Sequence, residues 1–180
     1  MNFSNIPPKS WFLDCLEIRD SNIHGKGVFT IKSIKEGQIA VKWGGKVVTA
    51  EEFRNGVGLK HTNVGIGDDL YLVAESEESR SIDDYMNHSC NPNLWLIDEI
   101  TLVANRDIDE GEELTIDYAI EISDENYVMN KLCSCNSKYC RQKITGIDWR
   151  IKEIQKKYEN HFSPFLEKKI KSINNKINEE

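Results

Sequence analysis

The protein has 180 residues, of which 39% are hydrophobic and 29% are charged, with 11 glycines and 4 prolines. This is an ordinary globular composition, which excludes collagen-like, low-complexity and wholly disordered chains. The 23 basic and 30 acidic residues give a net charge of −7, which favours a basic partner over nucleic acid. No apolar run approaches the roughly 20 residues of a membrane span, and no secretory signal peptide is expected.

Short strand patterns separated by turns dominate the chain up to about residue 143. Strands are predicted, in chain order, over 28–31, 38–43, 70–74, 94–97, 100–104 and 113–118. Thr49 and Glu52 form a capping-box pattern, which predicts a short helix ending near Asn55. Glycines throughout 56–69 predict a loop there. Many short strands with few long helices favour a β-rich, α+β core.

Apolar residues at helical spacing predict two helices after the β core. The first is predicted over 147–162, with Asp148 as a possible N-cap. The second is predicted to begin at Ser163 and Pro164, since proline is favoured at the first helical position. Its lysines are expected to form a solvated face that does not bind nucleic acid.

Three of the cysteines crowd into one short segment, as Cys133-x-Cys135-x4-Cys140. In an extended segment the side chains of residues i and i+2 point the same way, so Cys133 and Cys135 can grip one ion together. Zinc takes four ligands in a tetrahedron. Cys90 is the natural fourth ligand if the fold brings it to this segment.

Other interpretations of the cysteines remain open. The total of five is odd, which excludes a fully paired disulfide framework within one chain. His88 or His161 could replace Cys90 as a ligand, and scattered buried thiols or a redox dithiol are the alternatives to a metal site. Cys15 stands apart and is expected to be a plain buried or half-buried thiol.

Three further motifs accompany the cysteines, in a fixed order along the chain. They are His24-Gly-Lys-Gly-Val-Phe29, Tyr85-Met-Asn-His-Ser-Cys-Asn-Pro-Asn93 and Gly111-Glu-Glu-Leu-Thr-Ile-Asp-Tyr118. Together they resemble the SET-domain family of S-adenosylmethionine-dependent protein lysine methyltransferases. The cysteine cluster then resembles the family's post-SET segment, in which Cys90 completes the site of one structural zinc ion. The resemblance covers residues 20–143.

The resemblance implies a SET-type fold of several small sheets with a pseudoknot, in which the segment with Asn87 passes beside the strand that ends at Tyr118. It divides the chain into an N-terminal arm (1–19), a SET catalytic domain (20–120), a post-SET zinc segment (121–144) and C-terminal helices (145–180). These helices could cover a sheet edge or the cofactor site, or mediate dimerisation.

The resemblance also implies the residues of the site. Tyr118 is the catalytic residue, which orients the cofactor's sulfonium methyl and the substrate amine. The residues implied for binding S-adenosylmethionine are Gly25, Lys26, Gly27, Trp43, Asn87, His88 and Tyr118. Glycines let the backbone approach a ligand closely. Tyr71 and Ile116 are expected to line the channel for the substrate lysine, whose dryness would lower the pKa of the amine.

Three positions depart from the family's pattern. Trp43 stands where members often have Tyr, and Asp84 stands where many have Arg. Ile116 replaces a larger aromatic residue, which favours a roomier pocket and multiple methylation.

The predicted function is therefore protein-lysine N-methylation of a basic protein, either histone-like or of another kind. No direct contact with nucleic acid or a membrane is expected, and the location is expected to be cytoplasmic, or nuclear in a eukaryote. A catalytically inactive SET-fold, zinc-containing binding module is the alternative, to which Trp43 and Asp84 lend weight. Methylation of a free small amine is a further alternative function.

Overall fold

The structure, a computed structural model, describes residues 6–122 and 124–179, and only the backbone for 176–179. Short strands outnumber the helices in the described residues. Their bounds are β1 Trp11–Phe12, β2 Leu16–Asp20, β3 Lys26–Thr30, β4 Ile39–Lys42, β5 Lys46–Thr49, β6 Val64–Gly67, β7 Leu70–Val73, β8 Asn87–His88, β9 Leu94–Leu96, β10 Thr101–Ala104 and β11 Glu113–Ile116. The helices are α1 Ala50–Arg54, α2 Lys152–Lys157 and α3 Pro164–Glu179.

These strands form three small sheets, with the orders β1-β4-β10-β9, β2-β3-β11-β8 and β5-β7-β6. Neighbouring strands are antiparallel, except that β8 runs parallel to β11. One hydrophobic core joins the sheets to the C-terminal part of the chain, because Val28, Leu94, Leu114 and Leu166 are all fully buried in it. The prediction of a β-rich fold built from several small sheets is therefore confirmed.

The capping box at the start of α1 is confirmed. The Thr49 hydroxyl accepts the Glu52 N–H at 3.1 Å, and the Glu52 carboxylate accepts the Thr49 N–H at 2.7 Å. The loop predicted over 56–69 is wrong at its end, where β6 pairs with β7. Gly65 interrupts the alternating pattern from which a strand would be predicted. The position nevertheless requires glycine, since an added Cβ would lie 2.5 Å from the Glu121 carbonyl oxygen.

The long first helix predicted over 147–162 is also wrong. A 3-10 turn at Asp148–Arg150 precedes the short α2, and Asn160 adopts a left-handed φ of 65° before α3 begins. Asp148 does not cap a helix, because its carboxylate binds the Arg141 side chain at 2.9 Å and the Thr145 hydroxyl at 2.6 Å. The second helix begins at Pro164, as predicted.

Candidate active site and metal centre

The parallel pairing of β8 with β11 places two of the sequence motifs side by side. Thr115 lies opposite Asn87, and Ile116 lies opposite His88. Asn93 fastens the far end of the segment, because its amide donates to the Glu113 carbonyl and accepts the Thr115 N–H, both at 2.9 Å. Residues 87–93 therefore lie along β11, which is the contact that the expected pseudoknot requires.

Tyr118 follows β11 and begins a 3-10 turn over Tyr118–Ile120. Its hydroxyl donates to the Met86 carbonyl at 3.1 Å, and its main-chain N–H donates to His88 Nδ1 at 3.1 Å. These partners flank Asn87, so the Tyr118 ring lies beside the segment expected to hold the cofactor. Burial raises the pKa of Tyr118 above its usual value of 10. The hydroxyl is thus neutral near pH 7 and can orient a ligand by hydrogen bonding.

Asn87 is buried and ties the glycine loop to β11. Its side-chain nitrogen lies 3.1 Å from the His24 carbonyl, 2.9 Å from the Lys26 carbonyl and 2.7 Å from Glu113 Oε1. The structure therefore brings together three predicted features: the Gly25–Gly27 loop, Asn87 and the strand that leads to Tyr118.

The two glycines of this loop serve different purposes. Gly25 has a φ of +51°, a left-handed conformation that favours glycine, and an added Cβ there would meet nothing. At Gly27 an added Cβ would lie 2.1 Å from Glu113 Oε1, the atom that Asn87 binds. Lys26 between them points outwards, and its ammonium pairs with Asp20 at 2.7 Å.

Trp43 is buried in the hydrophobic core. It lines a cavity of about 290 Å³ together with Asp83 and Asp84. Of the predicted site residues that the structure describes, only Trp43 lines this cavity. Burial raises the pKa of Asp84 to about 6, and its carboxylate accepts the Ser81 N–H at 2.7 Å. Asp84 thus stabilises the turn before β8.

Ile116 and Tyr71, the two residues expected along the lysine channel, lie in different sheets. Ile116 is buried in β11 opposite His88. Tyr71 is half-buried in β7 opposite Gly65, and burial raises its pKa. Their role in a lysine channel stays a prediction.

Glu121, three residues after Tyr118, is a buried acid that sequence reasoning missed. Its carboxylate accepts the Gly65 N–H at 2.9 Å, and burial raises its pKa to about 8. An acid between two apolar residues, shortly after the third motif, was the only signal for it in the sequence.

The four predicted metal ligands meet at one place. The sulfur atoms of Cys90, Cys133, Cys135 and Cys140 all lie within 4.8 Å of one another. His161 is elsewhere, stacked on Trp95 with ring centroids 3.5 Å apart, so it does not substitute for Cys90. Cys15 is also apart, and its sulfur accepts the Thr30 hydroxyl at 3.6 Å. The alternative of scattered buried thiols is wrong.

The cluster fits a tetrahedral ion bound by sulfur. Zinc–sulfur bonds of about 2.3 Å imply sulfur atoms about 3.8 Å apart, which lies within the 4.8 Å limit on the separations of these four sulfur atoms. Left-handed residues at Asn136 and Gln142, with φ of 52° and 60°, turn the chain around it. The Arg141 N–H approaches Cys90 Sγ at 3.3 Å. Burial raises the pKa of Cys90 and Cys133, whereas backbone hydrogen bonds lower the pKa of Cys135 to about 7 although burial opposes it. A bound cation would favour the thiolate form of these ligands.

The family profile described as the SET domain matches residues 25–119. This range contains the glycine loop, the segment from Asn87 to Cys90 and Tyr118, whereas the other three cysteines of the cluster follow it. The chain belongs to the SET-domain family. No helix in the described residues is long and apolar enough to cross a membrane.

Curated relatives include several histone-lysine N-methyltransferases. The chain is 33% identical to histone-lysine N-methyltransferase ash1 of Drosophila melanogaster over 141 residues, covering 72% of this chain and 6% of that protein. It is 31% identical to the variant-silencing SET domain-containing protein of Plasmodium falciparum over 155 residues, covering 76% of this chain and 6% of that protein. The chain thus spans a small part of these long relatives.

Solved structures share the fold. Arabidopsis thaliana SUVH6 in complex with SAM aligns with a TM-score of 0.59 and 22% identity, covering 71% of this chain and 32% of that one. The methyltransferase domain of human SETMAR aligns with a TM-score of 0.58 and 21% identity, covering 73% and 57% of the two chains.

Proposed function

We propose that this chain is a protein-lysine N-methyltransferase that uses S-adenosylmethionine. The observation that carries the proposal is the pairing of β8 with β11, which joins Tyr118 to both neighbours of Asn87. The glycine loop is held at the same place by Asn87. Family membership supports the assignment, as do the relatives that are histone-lysine N-methyltransferases.

The proposed roles follow from the chemistry of each group. S-adenosylmethionine, when bound, supplies a methyl group on a sulfonium that a neutral amine can attack. The Gly25–Gly27 loop, Asn87 and His88 would hold it, and Trp43 remains a predicted contact. A lysine has a pKa of about 10.4 in water and must lose its proton first. A narrow, dry channel along Tyr71 and Ile116 would lower that pKa, and the neutral Tyr118 hydroxyl would orient the amine.

We further propose that the substrate is a basic protein segment with an accessible lysine, such as a histone-like tail. The net charge of −7 supports this, since an acidic surface attracts basic segments. Relatives named as histone-lysine N-methyltransferases support a nuclear location in preference to the cytoplasm. The smaller side chain at Ile116 supports multiple methylation.

One structural zinc ion is proposed for the four cysteines. Four thiolates are the donor set of closed structural zinc sites. In this position the ion would join Cys90, which follows β8, to the segment that carries Cys133, Cys135 and Cys140.

Methyl transfer to a lysine-peptide array from labelled S-adenosylmethionine tests the proposal, with products identified by mass spectrometry. We expect methyl-lysine in basic peptides, and loss of transfer in Tyr118→Phe. Tyr139→Phe is the matched control, because Tyr139 is 56% exposed. Cofactor binding without transfer to any peptide or basic protein would favour the binding module, and transfer to free amines alone would favour a small-molecule enzyme.

A further inference from the structure

Asp117, directly before Tyr118, places a carboxylate in the protein interior with 0% exposure. Its Oδ1 accepts the Ala119 N–H at 3.0 Å, and this bond caps the 3-10 turn that Tyr118 begins. The placement of the Asp117 carboxylate therefore helps to set the backbone on both sides of Tyr118.

Arg141 binds this carboxylate from the cysteine segment. Its two terminal nitrogens donate to the two oxygens of Asp117, each at 2.7 Å, in the bidentate geometry that gives strong, directional ion pairs. The main-chain N–H of the same residue approaches Cys90 Sγ at 3.3 Å, and its Nε donates to Asp148 at 2.9 Å. Arg141 thus contacts the cysteine cluster and Asp117 at once.

Tyr158 reaches the same carboxylate from the C-terminal part of the chain. It follows α2, is 1% exposed, and donates its hydroxyl to Asp117 Oδ2 at 3.0 Å. Burial raises the pKa of Tyr158, so it stays a hydrogen-bond donor. Although burial opposes it, the hydrogen bonds from Arg141 lower the pKa of Asp117, so the carboxylate stays charged.

We infer that Arg141 and Tyr158 are positioning residues for Tyr118, acting through the Asp117 carboxylate. The cysteine segment and the C-terminal helices would then control the geometry of methyl transfer at a single point. The expected change in kcat rests on the proposed function. A buried ion pair that served stability alone is the competing explanation, because removing one partner of such a pair is destabilising in any protein.

A double-mutant cycle separates the two explanations. Arg141→Gln should lower kcat by at least about tenfold at temperatures well below unfolding, with KM for the peptide and Kd for S-adenosylmethionine within about threefold. Arg141→Gln alone leaves the Asp117 carboxylate buried and without its ion-pair partner. Combining it with Asp117→Asn removes that charge and should restore part of the lost kcat. Arg150→Gln, at an exposed arginine, is the matched control and should leave kcat unchanged.

Fluorine NMR of protein labelled with 3-fluorotyrosine reports on Tyr118 without turnover, the Tyr118 signal being assigned with Tyr118→Phe. We expect Arg141→Gln and Tyr158→Phe to shift the Tyr118 signal, and Arg150→Gln and Tyr139→Phe to leave it in place. Should Arg141→Gln fail to fold, Tyr158→Phe decides by the same signal and by kcat.

A variant that melts earlier but keeps both kcat and the Tyr118 signal would overturn the inference. If the unmodified protein transfers no methyl group, the proposed function fails, while the NMR comparison still decides whether Arg141 and Tyr158 position Tyr118.

Discussion

The main-chain N–H of Tyr118 donates to His88 Nδ1 at 3.1 Å. Because Nδ1 accepts this bond, the proton of the neutral imidazole lies on Nε2, which is 3.2 Å from Cys90 Sγ. Burial lowers the pKa of His88 to about 4, so the ring is neutral at physiological pH. One buried histidine therefore links the candidate transfer site to the cysteine cluster, and we expect a change in either to affect the other.

Tyr118→Phe removes one hydroxyl and should abolish most methyl transfer while the fold persists. We expect kcat to fall by at least about tenfold, because the amine and the methyl lose a group that aligns them. Loss of the hydrogen bond to Met86 should cost only about 1 kcal/mol of unfolding free energy. Kinetics and denaturant unfolding measure the two effects. An unchanged kcat would remove Tyr118 from the catalytic role.

Gly27→Ala should weaken cofactor binding. The new methyl group would displace the Glu113 carboxylate, which Asn87 and Ser21 both bind, so we expect Kd for S-adenosylmethionine to rise about tenfold or more, equivalent to about 1.4 kcal/mol. Gly37→Ala is the control, since Gly37 has a φ of +77° with open space around it. That variant should lose about 1 to 2 kcal/mol of stability, because alanine is disfavoured at a left-handed φ, and should keep its cofactor affinity. Calorimetric titration distinguishes them, and equal Kd values for both variants would contradict the prediction.

Metal content provides a direct test of the cysteine cluster. Elemental analysis should find about one zinc ion per chain, and Cys140→Ser should reduce this strongly because a closed site needs all four ligands. Chelation should also unfold the cysteine segment and weaken cofactor binding. Cys15→Ser should keep its zinc. A metal-free protein with full cofactor affinity would exclude a structural ion.

Glu121 should make the protein less stable as pH rises. Burial raises its pKa from the usual 4.5 to about 8 in the folded protein, so the folded state binds more protons than the unfolded state between these values. The unfolding free energy should therefore fall across this window, by up to about 1.4 kcal/mol per pH unit from this residue, and the contribution should level off above pH 8.

Glu121→Gln removes the titrating group but keeps an oxygen for the Gly65 N–H. Denaturant unfolding at pH 5 to 9 should show the stability difference between this variant and the unmodified protein growing with pH. For Glu110→Gln, at an exposed glutamate, the unfolding free energy should change with pH in parallel with that of the unmodified protein. A parallel curve for Glu121→Gln would show that Glu121 does not titrate in this window.

Structural features that depend on residues close together in the sequence could be predicted. The capping box of Thr49 and Glu52 and the start of α3 at Pro164 each involve residues within one helical turn. Strand β6 was missed because its glycines mask the alternating pattern, while its hydrogen bonds come from β7. The prediction of a long first C-terminal helix was wrong because Asp148 binds Arg141 and Thr145, and because Asn160 adopts a left-handed φ of 65° that a helix cannot contain.

The family and the candidate site residues could be predicted from the chain alone, because the glycine loop, the Asn87–Cys90 motif, Tyr118 and the clustered cysteines are local patterns. The contacts of Asp117 with Arg141 and Tyr158, which lie 24 and 41 residues further along the chain, became visible only in the fold. Spacing along a chain limits how far apart two residues can lie, but packing of the buried core determines which of them meet.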